Sequence, residues 1–184
     1  MPSVPPASPS APPVVVSSEA GPTKDPWVEI TRLNYGGDRS YAWSVREQVI
    51  LCAPENRPKL EERLIAAVTR PGCTDAGLAA LCELLGLIGS ARSVPALAAL
   101  LLAPATVESG RAALESIPGP EASSALRDAL PRLSGNARIG LIGSLARRRD
   151  TQAVPALTAL RDRTSEPADL REAATRALDH LSRA

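Results

Sequence analysis

The sequence predicts an all-α fold, an α-solenoid of about four helical hairpins, and three observations lead there. First, a phrase repeats. Val94-Pro95-Ala96-Leu97-Ala98-Ala99-Leu100 returns as Val154-Pro155-Ala156-Leu157-Thr158-Ala159-Leu160, with a degenerate copy, Ser123-Ser124-Ala125-Leu126-Arg127-Asp128-Ala129-Leu130, between them. Leu97, Leu126 and Leu157 are spaced by 29 and 31 residues, the length of two helices and two turns. Second, Ala and Leu dominate the apolar residues and Phe is absent; both are strong helix formers and pack helices closely. Third, apolar residues recur at helical spacing between Gly and Pro breaks, with no strand-like alternation. A hairpin of this size cannot bury its apolar face alone, so copies must stack.

The elements follow in order. Residues 1–26 hold eight of the eighteen prolines and read as a disordered or polyproline-like tail. Pro5-Pro6 and Pro12-Pro13 fall short of a proline-motif docking site flanked by arginine. Residues 27–56 form an aromatic N-terminal capping segment and a first short helix: Trp27, Tyr35, Tyr41 and Trp43 are all the aromatics of the chain. Gly36-Gly37-Asp38 reads as a turn, and the short helix is placed at 44–51. The aromatics read as packing over the first hairpin; the alternative is a recognition patch. Residues 57–184 form the repeat domain. Helices are predicted at 58–69, 76–88, 94–102, 106–117, 121–133, 136–148, 151–161 and 168–181. Thr74, Asp150 and Ser165 suit N-caps, Gly89 a C-cap, and Pro95 a first turn, where its missing N–H costs nothing. Pro131 is placed to end or kink its helix. Burying one leucine is worth roughly 1.5–3 kcal/mol, against backbone entropy of about 1–2 kcal/mol per residue, so shared surface between hairpins has to supply the balance.

The run Leu85-Gly86-Leu87-Ile88-Gly89-Ser90-Ala91-Arg92-Ser93-Val94-Pro95-Ala96-Leu97 resembles the signature of bacterial HEAT repeats, including the phycobilisome-lyase-like subgroup. There the first helix ends in Leu-Gly-x-Ile-Gly and the second opens with Val-Pro-x-Leu. The next copy departs, with Ile117-Pro118-Gly119 for the glycine turn and Ser123-Ser124 for Val-Pro. The third keeps Val154-Pro155-Ala156-Leu157 but carries Arg147-Arg148-Arg149-Asp150 in its turn. The resemblance covers about residues 57–184. It implies HEAT-like hairpins whose second helices line a concave face, and a role in holding other proteins; some members act on nucleic acid and the lyase-like ones attach bilins.

Charge and motifs narrow the function classes. The net charge of +1 provides no global field toward nucleic acid or membrane. The most basic stretch, 134–163, carries Arg138, Arg147, Arg148, Arg149, Arg161 and Arg163 against Asp150 and Asp162. It reads as solvated charge favoured at a helix C-terminus, or as a docking surface for an acidic segment or phosphate. A DNA footprint needs a longer positive track, and base recognition needs aromatics nearby. Outward positions on the second helices include Arg127, Asp128, Arg132, Thr158, Arg161 and Asp162. The candidate partner-binding residues are therefore Arg127, Arg132, Arg147, Arg148, Arg149 and Arg161, with Trp27, Tyr35, Tyr41 and Trp43.

No catalytic constellation is legible. His180 is the single histidine and lies beside no diagnostic serine or cysteine motif. Cys52, Cys73 and Cys82 form no CxxC pair and read as small buried hydrophobes in a reducing compartment, although Cys52 or Cys82 could hold a bilin thioether. No cofactor, metal or catalytic residue is expected. The longest charge-free stretch, 93–107, is too short and proline-broken to span a bilayer, and the N-terminus lacks the basic and apolar regions of an export signal. The reading is a cytoplasmic, non-catalytic scaffold binding another protein along its second helices. The alternatives are a bilin-lyase-like accessory and a nucleic-acid binder using the arginine cluster. Self-association through an open solenoid end is also expected, with the C-terminal helix as that end.

Overall fold

The structure, a computed structural model, describes residues 24–183. The predicted tail falls almost wholly outside the described residues. Within them the chain is helical, with α1 (Pro26–Glu29), α2 (Ser40–Ile50), α3 (Arg57–Val68), α4 (Asp75–Ile88), α5 (Val94–Leu100), α6 (Val107–Ser116), α7 (Pro120–Ala129), α8 (Gly135–Arg147), α9 (Val154–Asp162) and α10 (Ala168–Ser182). No strand occurs among the described residues.

Local chemistry explains most boundaries. The Thr74 side chain accepts from Gly77 N–H and starts α4, as its spacing predicts. Asp150 accepts from Gln152 N–H, but it opens a 3₁₀ turn at Thr151–Ala153 rather than α9 itself. Pro131 ends the α-helical part of its helix, which closes as a 3₁₀ turn over Leu130–Arg132. Two expectations need correction. Ser165 is not a cap, because α10 starts after Pro167. The first helix begins at Ser40 rather than at residue 44, because Asp38 accepts from both the backbone N–H and the hydroxyl of Ser40 at 2.8 Å. The short α1 was hidden in the proline-rich stretch; Asp25 caps it and Pro26 takes its first position.

The helices pack mainly on near neighbours along the chain. α2 rests on α4, α4 on α6, α6 on α8 and α8 on α10, which makes one row. α3 packs on α4, α5 on α6, α7 on α6 and α8, and α9 on α10. In this second set α5 touches α7, while α3 and α5, like α7 and α9, lack extensive contact. One apolar cluster runs from Trp27 to Leu181. The three repeat leucines, Leu97, Leu126 and Leu157, are all at 0% exposure within it, so the period reports core positions.

Polar ties join successive helices at the same period. Buried Glu61 on α3 accepts from Ser90 N (2.7 Å), Ser90 Oγ (2.9 Å) and Ser93 Oγ (2.6 Å). Glu115 on α6 accepts from Ser144 Oγ (2.7 Å) and Arg147 Nε (2.5 Å) on α8. Both carboxylates thus reach residues 29 and 32 positions ahead. Burial alone would raise both acids. The donors from Ser93 and Ser90, aided by Arg92, hold Glu61 below the ordinary glutamate value of 4.5. Arg147, Ser144 and Arg111 do the same for Glu115. A carboxyl whose folded value is depressed stabilises fully above its unfolded value and loses that contribution as pH falls through the folded value. The urea midpoint should therefore stay flat from pH 7 to about 5 and drop below the glutamate range near 4.5. The drop should shrink in Glu61→Gln. A midpoint independent of pH down to 3 would refute this account.

Candidate functional site

The arginine cluster does not assemble as one patch. Arg147 spans to Glu115, with Nε at 2.5 Å and Nη2 at 2.5 Å. Glu115 also takes Arg111 Nη1 at 3.0 Å, so this charge is spent on joining α6 to α8. Arg148 turns inward. Its Nη1 donates to the carbonyls of Leu114 (2.8 Å), Glu115 (2.9 Å) and Ile117 (2.5 Å). Its Nη2 donates to Gly119 O at 2.7 Å and its Nε to Ser123 Oγ at 2.9 Å. These carbonyls belong to the end of α6 and the turn after it, which no backbone N–H satisfies. Arg149 holds a left-handed backbone with φ +55°. Its N–H bonds Ala146 O and that of Asp150 bonds Leu145 O, the Schellman ending usually built on glycine. Three consecutive arginines thus serve as helix tie, helix cap and helix stop.

The second-helix residues divide similarly. Arg127 is paired with Asp150, whose side chain is 6% exposed. Arg161 pairs with its neighbour Asp162 at 2.7 Å. Arg132 and Arg149 are exposed and form no ion pair among the described residues. Such long-range partners leave no local sequence signal: a run of Arg-Arg-Arg looks the same whether it faces water or caps a helix thirty residues upstream.

The aromatic group also divides. Trp27 belongs to the core rather than to a surface patch: it is buried, its Nε1–H donates to Gln48 Oε1 at 2.9 Å, and the Arg63 guanidinium lies 4.1 Å over its ring. Tyr41 is half-buried. Tyr35 and Trp43 are exposed, and Trp43 shares α2 with exposed Ile50, next to exposed Leu51. Apolar exposure therefore gathers at the N-terminal end. No large apolar side chain of α10 is exposed.

A feature not read from the sequence is the series of grooves along the α2–α4–α6–α8–α10 row. One of about 480 Å³ lies between α4 and α6. Its lining includes Ala79, Cys82, Gly86, Ala112, Ala113 and the exposed Leu87. A smaller one of about 190 Å³ separates α2 from α4, and another of about 200 Å³ separates α8 from α10. The sequence signal was present as small residues at helical spacing, Ala79-Gly86 and Ser109-Ala112-Ser116, but small residues equally mark tight packing.

Burial pushes the Cys82 thiol up to about 12 and also raises Cys73, the opposite of what a reactive thiolate needs. His180 is exposed on α10. Among the described residues no group of three or more His, Cys, Asp or Glu is placed to hold a metal, and no helix is long and apolar enough to cross a membrane. Fold and surface together define an all-helical protein built from consecutive packed helices with a grooved face. In comparisons with known proteins, no family model matches the chain, and neither does any curated protein or solved structure.

Proposed function

We propose that this chain is a non-catalytic protein-interaction scaffold of the HEAT-repeat type, whose binding face is the row of first helices rather than the second. The observation that carries this reading is the groove between α4 and α6, floored by Gly86, Ala112 and Ala113 and edged by exposed Leu87. Small side chains lower the floor, and an exposed leucine at its edge offers an apolar anchor. Two further facts support it. The first-helix row is in continuous contact, whereas the second helices are partly splayed. In a curved stack of helix pairs, the row with the closer approach lies on the inside, where solenoids bind extended partners. On the second helices, the Arg127 charge is already met by Asp150 and that of Arg161 by Asp162.

The test is site-specific photo-crosslinking in the native cells. A photoreactive amino acid at Leu87 or Ser109 should crosslink one discrete partner, and the same residue at Arg132 or Thr158 should not. Leu87→Glu should abolish co-purification of that partner while leaving the helical circular dichroism unchanged. Crosslinking confined to the second-helix positions would overturn the assignment of the face. Loss of a salt-sensitive complex with nucleic acid on replacing Arg132 and Arg149 by Glu, with no protein crosslink, would overturn the function.

A further inference from the structure

We propose that the outer face of α2 is a homodimer interface, in which α2 of one copy packs antiparallel on α2 of a second copy about a two-fold axis. This is independent of the α4–α6 groove reading. The row of first helices explains why α2 is open: α4, α6 and α8 each have a row neighbour on both sides, and α2 has one only on its α4 side. Its inner residues Ala42, Val45 and Val49 are buried. Its outer residues Trp43 and Ile50 are 67% and 59% exposed, and the following Leu51 is 74% exposed. With Ser40, Ser44, Arg46 and Glu47 they form one open, shallow surface along this single helix. Trp43, Glu47 and Ile50 stand at i, i+4 and i+7, on one face.

The occupant follows by elimination and by pattern. The missing neighbour should be a helix with an apolar stripe. Residues 1–23 contain seven prolines and carry the wrong sequence to supply it. A head-to-tail copy would present α10, whose exposed residues are almost all polar, among them Glu172, Thr175, Arg176 and Asp179. Among the described residues, α2 itself offers the matching stripe. An antiparallel pair centred between residues 46 and 47 places Trp43 against the second copy's Ile50, and places Arg46, whose guanidinium also pairs with Glu83 on α4 of its own copy, against the second copy's Glu47, so the apolar and ionic patterns are self-complementary. The exposed parts of Trp43, Ile50 and Leu51 amount to roughly 400 Å² per copy, within the size range of the largest and often functional patch on a monomeric protein. A standard interface buries about 800 Å² per partner. Polar neighbours such as Arg39, Ser40 and Ser44 must make up the rest, so the dimer is weak, with a dissociation constant in the micromolar range.

The experiment is sedimentation equilibrium of the full chain from about 1 to 200 µM. A reversible monomer–dimer equilibrium is expected. Trp43→Glu should weaken it at least tenfold without altering the melting temperature, since Trp43 is exposed. The ionic register has its own test. Arg46→Glu alone and Glu47→Arg alone should each be monomeric, and an equimolar mixture of the two variants should dimerise again, because each copy then carries the charges its partner lacks. A chain that stays monomeric at every concentration overturns the proposal and leaves the face to another protein's helix. A dimer insensitive to Trp43→Glu, or variants that do not recombine on mixing, also overturns it.

Discussion

Replacing Arg148 with methionine is expected to destabilise the protein by about 3 kcal/mol. Methionine fills similar space and recovers some apolar burial, so the loss isolates the hydrogen bonds. Arg148 makes five contacts, four of them to main-chain carbonyls at the end of α6 and in the turn after it. A hydrogen bond from a charged donor is worth roughly 1.5–3 kcal/mol, and a buried acceptor left unpaired costs about 1–3 kcal/mol. Water can reach some of these oxygens, which keeps the sum well below four full penalties. The charge also sits where the α6 dipole favours a cation, adding up to about 1 kcal/mol. For a domain of this size, about 3 kcal/mol corresponds to a fall of roughly 6–12 °C in melting temperature. Lysine preserves charge but not the planar fork, and should restore less than half of the loss. A melting temperature for Arg148→Met within about 2 °C of the parent would show that the carbonyls are satisfied without it.

The second prediction is a reversal of sign between two glycines of α4. Gly→Ala inside a helix normally stabilises by up to about 1 kcal/mol. At Gly86 the new methyl would meet Ser116 Cβ at 3.4 Å and Ala113 Cα and Ser116 Oγ at 3.7 Å, all ordinary contacts, so Gly86→Ala should stabilise by about 0.5 kcal/mol. At Gly77 it would lie 2.4 Å from the Ile30 carbonyl oxygen and 3.1 Å from Thr31 C and O. That carbonyl belongs to the segment linking α1 to α2, which packs directly on α4, and Thr31 O also accepts from Thr74 N at 2.9 Å. Main chain cannot step aside as a flexible side chain can, and overpacking costs about 1–3 kcal/mol. Gly77→Ala should therefore destabilise by about 2 kcal/mol despite its better helix propensity. Parallel urea titrations read both variants. Stabilisation by both would mean that the α1 segment shifts freely against α4.

The helices were legible because their signals are local. Leucines at the 29 and 31 spacings, Thr74, Pro131 and Gly89 each act within one turn of helix, and the structure places all of them as core residue, cap or stop. The start of α2 was missed by four residues because Asp38, read as part of the turn, caps the helix that follows it. The surface was far less legible. Arg127, Arg147 and Arg148 were singled out as a binding surface because a charge run carries no information about distant acceptors. Asp150, Glu115 and the α6 carbonyls lie 23 to 34 residues away from them. Trp27 and Trp43 are chemically alike and close in the chain, yet one is buried against Gln48 and the Arg63 guanidinium and the other faces solvent. Helical phase separates them only once the α1–α2 break is known.

The ties of Glu61 and Glu115, each reaching just 29 and 32 positions forward, bear on how such a molecule comes together and changes. Closing a loop of about thirty residues carries a modest entropic cost, and that cost grows only slowly with length. Each pair of helices can therefore dock as soon as the next has been synthesised, without waiting for a distant terminus. The same locality makes the chain modular in heredity: adding or deleting one whole pair would disturb a single joint on either side and leave every other link intact.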